Sequence, residues 1–91
     1  MKLYRITFGY QSPHDHSVIY HSANVIMRKA RAGYHLVKWD FQEPFDSYKN
    51  NPTALDVSAP ATDRDVLSAF LRYKLSFAES VSLDFARKIT L

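Results

Sequence analysis

Cysteine is absent from this chain of 91 residues. The protein therefore has no disulfide, no thiolate metal ligand and no cysteine nucleophile. Small secreted domains usually depend on disulfides, so this absence favours the cytoplasm. Residues 1–5 begin no apolar run of signal-peptide length, which agrees with that expectation.

Glycine and long apolar runs are also scarce. The chain has only two glycines, too few for a glycine-rich phosphate loop. No stretch approaches the length of about 18 apolar residues that spans a membrane, so we expect no membrane partner. A chain of this length makes one domain, 1–91, which buries roughly 60% of the surface that its unfolded form exposes.

Acidic residues are missing between Asp15 and Asp40. The formal net charge is +3, and residues 1–45 carry all of that excess, because residues 46–91 hold equal numbers of basic and acidic side chains. Such asymmetry indicates an anionic partner on one surface.

What the chain does contain is typical of a globular protein, with 46% hydrophobic and 14% aromatic residues. Alternation of apolar and polar residues predicts strands over 2–10 and 34–41. Turn-forming residues at 11–17 lead into β-prone residues 18–20, which predicts that the first strand continues into a hairpin.

A short helix is predicted over residues 22–33. Ser22 or Asn24 would cap its start, and Gly33 would follow its last turn in a left-handed conformation. Basic residues near its end would suit the negative pole of the helix dipole.

Residues 42–62 contain three of the four prolines and predict a long Pro-rich loop. A connection of this length is either a functional loop or conceals short elements around residues 45–48 and 54–57.

The clearest predicted helix begins after Thr62, a good N-cap followed by acidic residues in the first turn. Its apolar stripe runs from Val66 through Phe70, Tyr73 and Phe77. Beyond residue 76 three continuations stay open: one long helix, a second helix started by the capping pattern of residues 76–79, or a strand, with helix preferred.

The predicted fold class is therefore α+β, a small antiparallel sheet in the order β-β-α-β. A long Pro-rich loop and a C-terminal amphipathic helix, either continuous or broken in two, complete it. An aromatic-rich helix could expose more apolar surface than a small chain covers, so a homodimer is also an expectation.

The best candidate for partner binding is a basic stretch with one aromatic residue. Arginines beside an exposed aromatic ring suit an acidic protein surface, and they equally suit phosphates and stacked bases. The stretch consists of Arg28, Lys29, Arg31, Tyr34 and Lys38.

Histidines give a second, weaker candidate. His14, Asp15 and His16, together with His21 and His35, could in principle supply nitrogens and a carboxylate to zinc, or an acid–base pair to a nuclease. A His-x-His pattern in a predicted turn is more typical of an exposed polar loop.

No catalytic motif and no resemblance to a known family is present in the sequence. We predict a non-catalytic binding module without cofactor. It would be an inhibitor or adaptor that contacts the acidic surface of a protein or nucleoprotein complex. Small proteins that block host machinery, phage anti-CRISPR proteins among them, are of this size. The alternatives are direct nucleic-acid binding through residues 28–38, and a small His-based metal protein or nuclease.

Overall fold

The structure is a computed structural model that describes residues 1–29, 34–40, 53–57 and 61–90, with the backbone alone at residues 34 and 40. It is an α+β fold in which an antiparallel five-stranded sheet carries one helix. The elements are β1 Lys2–Gln11, β2 Val18–Lys29, β3 Tyr34–Asp40, β4 Thr53–Asp56, α1 Asp63–Lys74 and β5 Ser80–Ile89. The sheet order is β4-β3-β2-β1-β5.

The first hairpin confirms the predicted start of the chain. β1 pairs with β2 from Lys2↔Met27 to Gln11↔Val18. The turn between them is closed by the Ser12 amide, which donates to the Ser17 carbonyl at 2.8 Å.

The helix predicted over residues 22–33 is wrong, because β2 continues as a strand to Lys29. Its alternate residues Ala23, Val25 and Met27 are buried on one face. The second half of β2 pairs with both β1 and β3, so two ladders satisfy its backbone. Gly33, the expected C-cap, lies outside the described residues.

The helix predicted from Thr62 is confirmed at its start. Thr62 accepts a hydrogen bond from the Asp65 amide at 3.1 Å, and the Asp65 carboxylate accepts one from the Thr62 amide at 3.0 Å. This reciprocal capping box satisfies two amides that would otherwise lack partners.

Two expectations about the rest of the C-terminal half are wrong. The helix ends at Lys74, and residues 80–89 form a strand, the least favoured of the three continuations. The predicted long loop over 42–62 is interrupted by β4, which pairs with β3 and confirms the alternative of a short element around residues 54–57. The other short element considered, around residues 45–48, lies outside the described residues. Pro44, Pro52 and Pro60 lie outside the described residues. The order of the elements among the described residues is therefore β-β-β-β-α-β.

The core lies between one face of the sheet and α1. Val66, Leu67, Phe70 and Leu71 are the fully buried residues of the helix. The Phe70 ring meets Trp39 of β3 edge to face, with ring centroids 5.3 Å apart. Tyr73 and Phe77, predicted to extend the core stripe, are instead 63% and 46% exposed. No helix of the described residues is long and apolar enough to cross a membrane.

Candidate binding face

Strand alternation divides the side chains between two faces of the sheet. One, the helix-side face, packs against α1. The other, which we call the open face, is covered by no described element. Its side chains, placed by register, include Leu3, Arg5, Thr7, Gly9, Gln11, Val18, Tyr20, Ser22, Asn24, Ile26, Arg28, Leu36, Lys38, Ala54, Asp56, Ser80, Ser82, Phe85, Arg87 and Ile89.

Two arginines lie directly opposite each other on this face. Arg5 of β1 pairs with Arg87 of β5, and both side chains are exposed. Arg5 Nη1 donates to the Asn24 side-chain oxygen at 3.2 Å, which orients the guanidinium across the neighbouring strand. Like charges directly opposite in a sheet are destabilising, so this pair lacks a structural reason within the described residues.

A row of aliphatic side chains crosses the sheet beside the arginines. Ile26, Leu3 and Ile89 occupy consecutive strands in matched register and are half-buried. The exposed ends of these side chains line a depression of about 330 Å³. Because no described helix covers them, they offer apolar area to a partner.

Arg28 and Lys38, two of the predicted site residues, are brought together on the open face. Arg28 is opposite Leu36 and Lys38 is opposite Ile26, so the two cations are diagonal neighbours on β2 and β3. Both are exposed and line a second depression of about 230 Å³ with the two aliphatic residues.

The other three predicted site residues are not gathered there. Lys29 follows Arg28 on the strand, so its side chain lies on the helix-side face, opposite His35. Tyr34 begins β3, and its side chain is outside the described part of the structure, as is all of Arg31.

Two exposed aromatic rings share the open face. Tyr20 is 64% exposed and lies against Gly9, where an added Cβ would come within 2.8 Å of its ring carbon Cε1. Because Gly9 has no side chain, the Tyr20 ring can lie close to the backbone of β1. Phe85 is 54% exposed and is placed on this face by a register shift at Thr7/Phe8.

The acidic groups of the described residues are mostly engaged elsewhere. In this part of the chain the Lys2 ammonium pairs with the Asp63 carboxylate, and the Glu79 carboxylate lies within hydrogen-bond distance of His16 Nδ1. Asp15 accepts hydrogen bonds from the hydroxyl and amide of Ser17, which hold the pKa of its carboxyl below the usual value. None of these carboxylates neutralises the four cations of the open face.

Two further carboxylates lie near the sheet edges. Asp84 occupies the bulge of β5, and Asp56 belongs to β4 at the opposite edge; both are exposed. The interior of the face keeps its positive character.

The histidines are dispersed over the molecule. His14 and His16 lie in the exposed turn between β1 and β2, and His21 stacks beside Tyr10. His35 of β3 lies opposite Lys29 of β2. Lys29 is eight residues beyond His21 on the same strand, so His35 and His21 are about 26 Å apart along the strand direction. Among the described residues no group of three His, Asp or Glu side chains could hold a metal ion.

Arg5, Arg87 and the aliphatic row were missed by sequence reasoning. Arg5 could have been found, since it occupies the polar phase of the alternation in β1. Arg87 joins it only through the pairing of β1 with β5, which a helical interpretation of residues 80–89 excludes.

Comparison with protein families, curated proteins and solved structures finds no match to this chain.

Proposed function

We propose that the protein is a non-catalytic binding module that contacts an acidic protein surface, alone or within a nucleoprotein complex, through its open face. The observation that carries this proposal is an uncovered sheet face on which aliphatic side chains are surrounded by cations without carboxylate partners among the described residues. The cations are Arg5, Arg28, Lys38 and Arg87.

The aliphatic row favours a protein over other anionic partners. Leu3, Ile26 and Ile89 supply apolar area that a protein surface can cover, while bases need aromatic rings to stack on. Arginine is common among the residues that dominate binding energy at protein interfaces. An inhibitor or adaptor acts in this way, by occupying a surface without performing chemistry.

The chain offers a matched pair of variants for testing this proposal. Arg87 and Lys88 are adjacent and exposed, yet they lie on opposite faces of β5, with Lys88 opposite Tyr4 on the helix side. Arg87→Glu and Lys88→Glu therefore make the same change in charge at adjacent sequence positions, but the first alters the open face and the second alters the helix-side face.

The experiment is affinity capture from a nuclease-treated lysate, followed by titration of the captured protein. We expect Arg87→Glu to weaken binding at least about tenfold and Lys88→Glu to leave it unchanged. Added salt should weaken wild-type binding. Equal effects of the two variants would overturn the open face as the site, and light scattering of the free protein would detect a homodimer instead.

Single-stranded nucleic acid is a second candidate, favoured by Tyr20 and Phe85. Phe85 lies one row from Arg5 and Arg87, and Tyr20, opposite Gly9, lies two rows from them. Thr7 and Ser22, whose hydroxyl oxygens are 3.4 Å apart, occupy the row of Phe85. Stacked bases and nearby phosphates would use both sets. Tyr20→Ala should weaken binding of a fluorescent oligonucleotide, while Tyr73→Ala, at an exposed helix position, should not.

A further inference from the structure

A polar pocket of about 300 Å³ lies on the helix-side face at one end of the sheet. The start of β1, the end of β2, the start of β3 and the first turn of α1 meet there. Its charged and titratable residues are Lys2, Arg28, Lys29, His35 and Asp63. Met1 and Arg28, at the rim, also line the depression on the open face.

The pocket has more positive charge than its own carboxylate can balance. The side chains of Lys2, Arg28 and Lys29 contribute three positive charges and Asp63 one negative charge, a side-chain balance of +2, and Met1 with its amino group also lines the pocket. Asp63 is already engaged, because Lys2 Nζ lies 3.2 and 2.9 Å from its two oxygens and the Tyr4 hydroxyl donates to Oδ2. Arg28 and Lys29 have no carboxylate partner among the described residues.

His35 adds an unsatisfied polar atom to this pocket. Its Nδ1 is buried and has no hydrogen-bond partner in the described part of the chain. A buried polar atom without a partner costs stability, so such atoms in native proteins call for an explanation. Because His35 is directly opposite Lys29 on neighbouring strands, one bound group can contact both side chains.

We propose that this pocket binds a phosphate monoester dianion. Its negative charge complements the positive excess of the pocket, and its terminal oxygens accept hydrogen bonds from Lys29 and from Nδ1–H of His35. Asp63, held by Lys2 and Tyr4, also lines the pocket. The volume suits a small ligand, either a free phosphorylated molecule or a single phosphorylated side chain of a protein.

The test is a titration of the full chain with inorganic phosphate that is monitored by nuclear magnetic resonance. The ionic strength is held constant, and chloride is the reference anion. The amide signals of Lys29 and His35 should shift and saturate. O-phosphoserine and a phosphoserine peptide, each beside its unphosphorylated form, distinguish the two sources. Tighter binding of the peptide assigns the site to a phosphorylated protein, and equal binding assigns it to a free molecule.

Two variants make the result decisive. Lys29→Gln should weaken phosphate binding about tenfold, since it removes one charge-assisted contact. Lys88→Gln removes the same charge outside the pocket and should leave the affinity unchanged. The dispersion of the amide spectra checks that both variants are folded. Linear shifts without saturation, or equal effects of the two variants, would overturn the proposal.

Discussion

Tyr4 and Asp63 join the first strand to the first turn of the helix. The Tyr4 hydroxyl donates to the Asp63 carboxylate, and this bond is the largest cause that raises the pKa of Tyr4 from 10.0 to about 12. The same bond, with the Lys2 ammonium, holds the pKa of Asp63 below its ordinary value. Both shifts mean that the folded state prefers a neutral phenol beside a charged carboxylate.

Tyr4→Phe should therefore lower the free energy of unfolding at neutral pH by about 1 kcal/mol. The stabilisation from Asp63 is present above the unfolded pKa near 3.8 and is lost as the pH falls through the lower folded pKa. The stabilisation from Tyr4 is present below 10.0 and is lost as the pH rises towards about 12.

Urea unfolding across the acid, neutral and alkaline ranges measures these effects. Tyr4→Phe should remove the alkaline loss of stability that this tyrosine causes and reduce the acid loss. Tyr73→Phe, which changes an exposed helix tyrosine, is the control. A variant that keeps the full wild-type pH profile would show that the Tyr4 hydroxyl contributes nothing to it.

Gly9 gives a second prediction at the scale of the residue. An alanine Cβ there would lie 2.8 and 2.9 Å from two carbons of the Tyr20 ring, so the ring must move. Gly9→Ala should cost roughly 1 kcal/mol in unfolding free energy. In a Tyr20→Ala background most of the cost should vanish, because the ring carbons are the nearest contacts and Ser82 Oγ lies farther away at 3.3 Å. A double-mutant cycle detects this as a coupling of about 1 kcal/mol. Additive effects would mean that the ring does not depend on Gly9.

At the scale of the element, the start of α1 depends on its capping box. Thr62→Ala leaves the Asp65 amide without its acceptor, so we expect a loss of about 1 kcal/mol in unfolding free energy. Thr62→Ser keeps the oxygen and should retain most of the stability. Thermal unfolding of the three proteins checks this. Equal midpoints for the alanine and serine variants would show that the hydroxyl does not stabilise the helix.

Elements specified by local signals could be predicted from the sequence. β1, β3 and the start of α1 each have either clear alternation or a complete cap within a few residues. β2 has neither, because Ile26 on the open face interrupts its alternation with an apolar side chain, and Ser22 and Asn24 resemble helix caps. The pairing with β1 and β3 decides its conformation, and that pairing is not local.

The same limit applies to β5 and to the candidate site. Val81, Leu83 and Phe85 fit a strand, while a wider spacing through Ile89 fits a helix, so periodicity cannot decide between them. Only the ladder with β1 makes residues 80–89 a strand and places Arg87 beside Arg5. Arg28 and Lys38 were found by their charge, but the aliphatic row between the arginines depends on the whole sheet.

At the scale of the molecule, the two faces of the sheet have different physical roles. The helix-side face holds the buried core residues, so it supplies the apolar burial that stabilises the fold. The open face retains opposed arginines and aliphatic side chains that no described element covers, and both features are unfavourable when nothing is bound there. A face used for binding keeps such features, because the partner supplies the missing charge and cover.

Arg87→Glu tests this division with two measurements on one protein. Because the introduced carboxylate would lie directly opposite Arg5, the free energy of unfolding of the variant should rise by about 0.2–1 kcal/mol. Its affinity for the acidic partner should fall. Lys88→Glu should change neither quantity in this way, since Lys88 lies opposite Tyr4. If Arg87→Glu were less stable than wild type, the opposed arginines would be a structural feature, and the argument for the open face from charge would fail.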